Sequence, residues 1–220
     1  MSYDGAGSLF ALGIRVTKLS AAGAPLTGAT NCYVSDALVK ADIGLEYEDA
    51  KQVTQLNGTG LACVNFQAPY TLKRGSISNL QICQPDPNLL AFMLGGDVIT
   101  DVTVPLSPKD IGYRAPQVGV EEAPNGFSIE MWTRAVIGSA YATVLPYLWW
   151  VLPRCYVIPA GNWSLAADSA LLPEFSGYSI ENAGWSDGPA GDWTWPSDRV
   201  WQYSRIATLP AMDAGFVVIP

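Results

Sequence analysis

The sequence contains no histidine, and this absence removes most of the chemistry that its serines and cysteines would otherwise perform. Without an imidazole there is no Ser-His-Asp triad, no Cys-His dyad and no histidine metal ligand. Residues 184–188 read Gly-Trp-Ser-Asp-Gly, which matches the G-x-S-x-G turn of α/β-hydrolases. That motif requires a strand–turn–helix context and a histidine that accepts the serine proton, whereas Pro189 follows here at once. We therefore interpret the match as accidental.

Paired carboxylates are the remaining catalytic candidates, because a glycosidase uses one carboxyl group as an acid and another as a base or nucleophile. Glu130 lies on a predicted strand, and Glu174 or Glu181 downstream can supply the second carboxyl group. Glu130 can equally well form an ion pair with Arg134 or Arg154, or point into solvent. No spacing singles out a catalytic pair, so we expect neither enzymatic activity nor a cofactor.

The four cysteines are widely spaced and include no C-x-x-C pair, which fits neither a zinc site nor a dense disulfide framework. Reduced cysteine in an apolar stretch behaves as a small hydrophobic residue. We therefore expect no metal site and predict buried free thiols. The cysteines are Cys32, Cys63, Cys83 and Cys155.

A loop rich in Gly, Asp and Pro, residues 184–198, carries three tryptophans. Exposed aromatic rings on a loop can stack on sugar rings or anchor a protein interface. The neighbouring carboxylates can assist a sugar or hold calcium, although they lack a regular oxygen-ligand spacing. Alternatively, the rings only cover the edge of the fold. The candidate residues of this exposed aromatic loop are Trp185, Asp187, Asp192, Trp193 and Trp195.

The charge balance argues against tight nucleic-acid binding. The 220 residues carry a net charge of −8, and such binding requires clustered Lys and Arg. Only 15% of the residues are charged while 49% are hydrophobic, so much of the surface must be neutral or covered by partners. An uncharged run at residues 135–153 is interrupted by Gly138, Pro146 and Pro153, and we read it as a buried strand rather than a membrane span. Residues 1–14 contain no Lys or Arg, so we expect no signal peptide.

Short apolar–polar alternations separated by Gly and Pro recur along the chain and predict a β-sandwich or barrel. The predicted strands cover residues 12–17, 31–39, 61–66, 77–83, 98–104, 127–132, 148–158, 175–180 and 215–219. One short helix is predicted at residues 86–95, because Asp86 is suited to the N-cap, Pro87 to the first helical position and Gly95 to the C-terminal cap. We expect a single mainly β domain over residues 1–220 with this one flanking helix.

Residues 42–60 differ from the predicted strands, since they hold few large apolar side chains and close on Asn57-Gly58-Thr59-Gly60. This composition predicts a long exposed hairpin or arm that ends in a tight turn. Residues 1–9 and 211–220 are secondary candidates for arms. The candidate stacking-arm residues are Asp42, Glu46, Tyr47, Glu48, Asp49, Asn57 and Gly58.

The order of these features carries a resemblance to a known family. The segments that carry it are residues 44–48 (Gly-Leu-Glu-Tyr-Glu), 57–60, 87–94, 128–132 (Ser-Ile-Glu-Met-Trp), 151–154, 177–182 and 186–189 with Asp192-Trp193. Together they resemble the major tail (tail tube) proteins of long-tailed, non-contractile bacteriophages, over most of the chain from Leu12 to Pro210.

The resemblance implies a β-sandwich flanked by a helix, six-membered rings, and rings stacked into a hollow tube that conducts phage DNA without binding it tightly. It implies no catalytic residues. The implied partners are further copies of the chain and other tail proteins such as the tape measure and tail terminator, and the implied location is the virion, assembled in the host cytoplasm. The alternatives are a head–tail joining or capsid decoration protein, and a carbohydrate-binding sandwich that uses the tryptophan loop.

Overall fold

Strands dominate the protein, so the prediction of a mainly β fold is confirmed. The computed structural model describes residues 6–26, 28, 30–83, 86–103, 109–119, 125–161, 172–186 and 198–209. Within them lie one α-helix, α1 Pro87–Leu94, and one 3₁₀ turn, Ala183–Trp185. The strands are β1 Gly7–Lys18, β2 Cys32–Ser35, β3 Leu38–Glu48, β4 Gln52–Leu56, β5 Ala62–Gln67, β6 Thr71–Ile82, β7 Asp97–Asp101, β8 Lys109–Arg114, β9 Phe127–Ile137, β10 Ala140–Tyr141, β11 Tyr147–Pro159, β12 Glu174–Ser179 and β13 Gln202–Ile206.

The described residues form one nine-stranded antiparallel sheet with the order β2-β1-β9-β11-β12-β6-β3, and β10 and β13 pair with β9 and β11. Its two outermost strands, β2 and β3, are consecutive in the chain and are joined by Asp36 and Ala37 alone. A two-residue connection spans only a short distance, so the sheet must curl until these edges approach each other. The result is an incompletely closed, barrel-like sheet.

The inner face of the curled sheet holds the larger core. Ile14 of β1, Ile129 of β9 and Leu152 of β11 are buried there together with side chains of β3, β6 and α1. The helix covers this core by burying Leu89 and Met93.

The helix begins and ends where the sequence predicts. The Asp86 carboxylate accepts hydrogen bonds from the backbone N–H groups of Asn88 (2.8 Å) and Leu89 (3.3 Å). At the other end Gly95 has φ 76°, a left-handed conformation that favours glycine, and donates to the Ala91 carbonyl. The capping residues therefore fix both ends of the helix that closes the inner core.

The outer face of the sheet carries a second, tryptophan-rich core. Trp132 of β9 and Trp149 and Val151 of β11 are buried there with Trp185 of the 3₁₀ turn and Ile206 of β13. The central strands are therefore covered on both faces.

The buried strand predicted within the uncharged run at residues 135–153 is confirmed as the start of β11, whereas the beginning of the run belongs to the end of β9 and to β10. Among the described residues, none of the helices has the length and apolar character needed to cross a membrane.

Candidate functional site

Glu130, the first of the carboxylates considered for catalysis, is fully buried in an ion pair with Arg15. The Arg15 Nε atom lies 2.6 Å from Glu130 Oε2, and Nη2 lies 2.8 Å from Oε1. Trp149 Nε1 donates to the same Oε1 atom over 3.1 Å. Both carboxylate oxygens are engaged and out of reach of solvent, so this residue holds the sheet together.

The prediction that Glu130 forms an ion pair with Arg134 or Arg154 is wrong. Arg15 and Glu130 are direct register partners in the β1–β9 ladder, so their side chains emerge side by side on the same face. Arg134 instead packs over the rings of Tyr141 and Tyr147.

The prediction of an exposed Trp185 is wrong, because only 1% of its surface is exposed, and its burial fits the alternative that the ring covers the fold. Asn182 causes the burial. Its side-chain amide donates to the carbonyls of Gly23 (2.8 Å) and Pro153 (2.9 Å), and its carbonyl oxygen accepts from Gly184. These bonds turn the chain inward at the 3₁₀ turn, so the indole enters the outer core. The other residues of that prediction, Asp187, Asp192, Trp193 and Trp195, lie outside the described residues.

The predicted stacking arm divides into two parts. Asp42, Glu46, Tyr47 and Glu48 lie on β3, where they pair with β6 in the main sheet. The part that leaves this sheet is a separate hairpin of β4 and β5, residues 52–67, which we call the projecting hairpin. It extends beyond residue 60, because the strand predicted at residues 61–66 is its second arm.

The two terminal candidates for arms have different outcomes. Gly7, Ser8 and Leu9 belong to β1 and pair with β9, so this part of the proposed N-terminal arm lies in the sheet. Residues 1–5 and 211–220 lie outside the described residues.

The turn at the tip of the projecting hairpin is built by Asn57, as the sequence predicts. Its side-chain oxygen accepts from the backbone N–H groups of Thr59 (3.0 Å) and Leu61 (2.9 Å) and from the Thr59 hydroxyl (2.7 Å). Gly60 has φ 81°, which favours glycine. Gly58 is exposed at the tip, and Asp49 is exposed in the connection at the base. The chain therefore reverses in a defined turn, and the ladder has a register shift next to it, between Gln55 and Leu56.

The projecting hairpin has one mainly apolar face, which we call its apolar face, and one mainly polar face, which we call its polar face. Val53 lies opposite Phe66, and Val64 lies opposite Gln55 on the same face. The other face presents the pairs Gln52–Gln67 and Thr54–Asn65, with Leu56 of β4 beside them near the tip.

Every residue of β4 and β5 is exposed, including Val53 (44%), Val64 (46%) and Phe66 (57%). Further exposed apolar side chains lie near the tip and base of the hairpin. They are Leu56, Leu61, Tyr70 and Leu72. An isolated two-stranded hairpin is only marginally stable in water, and a contiguous exposed apolar patch marks an interaction surface. The apolar face of the projecting hairpin is thus our candidate functional site.

Two acidic side chains of β3, the strand that leads to the hairpin, form ion pairs within the subunit. Glu46 accepts from Arg74 Nε (2.5 Å) and from Lys73 Nζ (3.0 Å), and the hydrogen bond from Arg74 contributes most to lowering its pKa. The pKa of Asp42 is lowered by its hydrogen bonds from Lys40 and then from Asn79. Two of the acids predicted for the arm, Asp42 and Glu46, are therefore paired within the subunit, whereas Glu48 and Asp49 are exposed.

Sequence reasoning missed the apolar residues of β5, although the alternation of Val64 and Phe66 with Asn65 and Gln67 was visible.

Two of the four predictions of a buried thiol are wrong. Cys32 and Cys155 are buried and free as expected, whereas Cys63 on β5 is exposed and so is Cys83. Burial raises the pKa of the Cys155 thiol. Among the described residues, no cluster of Cys, Asp and Glu side chains is arranged to hold a metal ion.

No protein-family model matches the chain, and no curated protein matches it either.

Proposed function

We propose that this chain is the structural subunit of a homo-oligomeric hollow tube, of the kind formed by the major tail tube proteins of long-tailed, non-contractile bacteriophages. The observation that carries the proposal is the projecting hairpin, whose apolar face is covered by none of the described residues. A surface of this kind gains free energy when another protein covers it.

A second copy of the same chain is the partner that we propose. A head-to-tail contact generates a ring when its rotation closes and a stack or filament when it does not. A hairpin that reaches outward can lie against the sheet of the next subunit and contribute both apolar contact and main-chain hydrogen bonds. The curled sheet would form the wall of each ring, and the projecting hairpin would join one ring to the next.

The charge of the chain supports the passage of DNA rather than its capture. A net charge of −8 opposes tight binding of phosphate backbones. In the proposed tube, acidic side chains on the inner wall would let the genome slide through, and the proposed location is accordingly the phage virion.

The test is negative-stain electron microscopy of the purified protein over a concentration series. We expect hollow tubes or uniform rings for the wild type. Persistent monomers at every concentration would contradict a self-stacking subunit and would favour a head–tail joining or decoration role.

Two matched variants connect the assembly to the hairpin. The apolar-face variant carries Val53→Thr, Val64→Thr and Phe66→Thr, which keep the strand propensity but remove the hydrophobic contact. The polar-face variant carries Gln52→Thr, Asn65→Thr and Gln67→Thr on the opposite side of the same strands. We expect the first variant to remain folded and unassembled and the second to assemble. Equal assembly by both variants would refute the role of the apolar face.

A further inference from the structure

The main sheet has two ends, and the projecting hairpin leaves from one of them. At this end, which we call the hairpin end, Glu48 of β3 lies opposite Thr71 of β6, and residues 52–67 between these strands form the hairpin. At the other end, which we call the helix end, Leu38 of β3 lies opposite Ile82 of β6, and α1 follows in the chain. The hairpin and the helix end therefore lie at opposite ends of the strands.

A cleft of about 360 Å³ lies at the helix end. Lys18 of β1 and Phe127 of β9 are register partners, and both line it. The antiparallel ladders of β9, β11, β12 and β6 connect this end of β1 to the start of β3 and the end of β6. Leu19, Leu26 and Phe92 of α1 add further apolar surface to the lining. The cleft is thus a mainly apolar surface on the side of the sheet away from the hairpin.

The size of the cleft fits part of the apolar face of the projecting hairpin. An apolar cavity of about 150 Å³ is enough to hold a benzene ring, so a cleft of about 360 Å³ admits the Phe66 ring together with the side chain of Val53 opposite it. These two side chains lie nearer to the base of the hairpin than Val64 does. They are therefore the first apolar groups of the hairpin to reach a copy that lies beyond the hairpin end.

The cleft and the base of the hairpin also carry complementary charges. The Lys18 ammonium lies 4.5 Å from the centroid of the Phe92 ring, and no carboxylate of the described residues forms an ion pair with it. Glu48 and Asp49 are exposed and likewise form no ion pair within the described part of the chain, and they outnumber the exposed cation beside them, Lys51. Complementary charges of this kind fix the orientation in which two surfaces meet.

We infer that the apolar face of the projecting hairpin of one copy enters the cleft at the helix end of the next copy, with Phe66 as the anchor and with Glu48 and Asp49 beside Lys18. The contact is head-to-tail, because its two surfaces lie at opposite ends of the sheet. A copy that has received one hairpin still offers its own, so the contact continues along a stack and does not stop at a pair. The inference rests on the proposed function and names the surface that receives the hairpin.

The test is cross-linking with a short bismaleimide in full chains whose exposed native thiols are both replaced by serine. Val53→Cys places a thiol on the apolar face, and Ala91→Cys places one in the cleft. We expect this pair to give a ladder of covalent multimers on a denaturing gel. Thr54→Cys with Ala91→Cys is the matched control from the polar face, and Val53→Cys with Tyr141→Cys tests a contact at the hairpin end. Each control should give at least tenfold fewer multimers.

A charge exchange tests the orientation of the same contact. Lys18→Glu should raise the protein concentration needed for assembly at least tenfold, and the further changes Glu48→Lys and Asp49→Lys should restore assembly. A role of Lys18 confined to its own Phe92 ring would give no such rescue. Lys109→Glu, at another exposed lysine, is the matched control and should assemble like the wild type. Circular dichroism checks that each variant is folded.

The outcomes separate this inference from the proposed function. Tubes that form while the first cysteine pair gives no more multimers than its controls would overturn the inference and leave the proposed function standing. Multimers of that pair without tubes or rings would support the head-to-tail contact and contradict the hollow tube. The absence of both tubes and multimers would contradict both. If a cysteine variant does not fold, the charge exchange decides, and a failure of rescue overturns the inference.

Discussion

Two regions of the molecule share antiparallel pairing and alternating side chains but differ in burial. They are the central ladder of β1, β9 and β11 and the projecting hairpin of β4 and β5. Residues 127–132 of β9 are all buried, because α1 covers one face and the 3₁₀ turn with β13 covers the other. Every residue of β4 and β5 is exposed. Local alternation thus makes a strand, whereas burial depends on segments far away in the sequence or on another molecule.

The largest effect is expected from breaking the buried ion pair of the central ladder. Glu130→Ala leaves the Arg15 guanidinium without its carboxylate in the outer core, which should lower the free energy of unfolding by about 4 kcal/mol. Urea denaturation measures the loss. The double variant Arg15→Met/Glu130→Leu should recover most of it, since no charge is then left buried. A loss below about 1 kcal/mol for Glu130→Ala would show that the pair does not hold the ladder.

The next largest loss of unfolding free energy is expected when a side chain that covers the outer face is removed. Trp185→Ala opens a cavity beside Trp132 and Trp149, and we expect a loss of about 3 kcal/mol. The matched substitution Leu61→Ala at the tip of the projecting hairpin should change the unfolding free energy by less than about 0.5 kcal/mol, because that side chain is 67% exposed. Similar losses of unfolding free energy at the two positions in the monomer would contradict the claim that one side chain is covered and the other is not.

A smaller effect is expected from the helix that covers the inner face. Asp86→Ala removes the acceptor for the backbone N–H groups of Asn88 and Leu89, which should cost about 1 kcal/mol. Thermal or urea unfolding gives the value. Asp86→Asn retains a capping oxygen and should restore most of the loss, so an equal loss for both variants would count against capping as the cause.

The smallest effect on stability is expected from the ion pairs of Glu46, at the base of the hairpin. Glu46 has a pKa lowered by Arg74 and then Lys73, so its carboxylate favours the folded state above the pKa of the unfolded chain. This contribution is lost as the pH falls through the lowered pKa of the folded protein. Titration of the Glu46 carboxyl carbon by NMR should give a pKa below 4.5, and Arg74→Gln should move it upward. A pKa at or above 4.5 in the folded protein would contradict the pairing.

Much of the fold follows from local sequence signals. Both ends of the helix are predicted to within a residue from Asp86, Pro87 and Gly95, because capping depends on residues that are close in the sequence. The tip of the hairpin follows from Asn57 and the glycines for the same reason. The mainly β class follows from alternation that repeats along the chain.

The features that sequence reasoning missed depend on distant contacts. Glu130 meets a partner 115 residues away, and nothing near either residue indicates the register that brings them together. The burial of Trp185 depends on hydrogen bonds from Asn182 to Gly23 and Pro153. The length of the hairpin was underestimated, because apolar and polar side chains alternate at residues 61–66 as they do in a strand of the main sheet. Nothing in this alternation indicates that the segment belongs to the hairpin.

The most direct test of the account compares thiol labelling at two adjacent positions of β5. In a background with Cys63→Ser and Cys83→Ser, which removes the exposed native thiols, Val64→Cys places a thiol on the apolar face and Asn65→Cys places one on the polar face. Labelling rates are measured in dispersed and in assembled protein. We expect assembly to slow labelling at position 64 at least tenfold and labelling at position 65 much less. Equal labelling of position 64 in both states would contradict the claim that the apolar face of the projecting hairpin joins one subunit to the next.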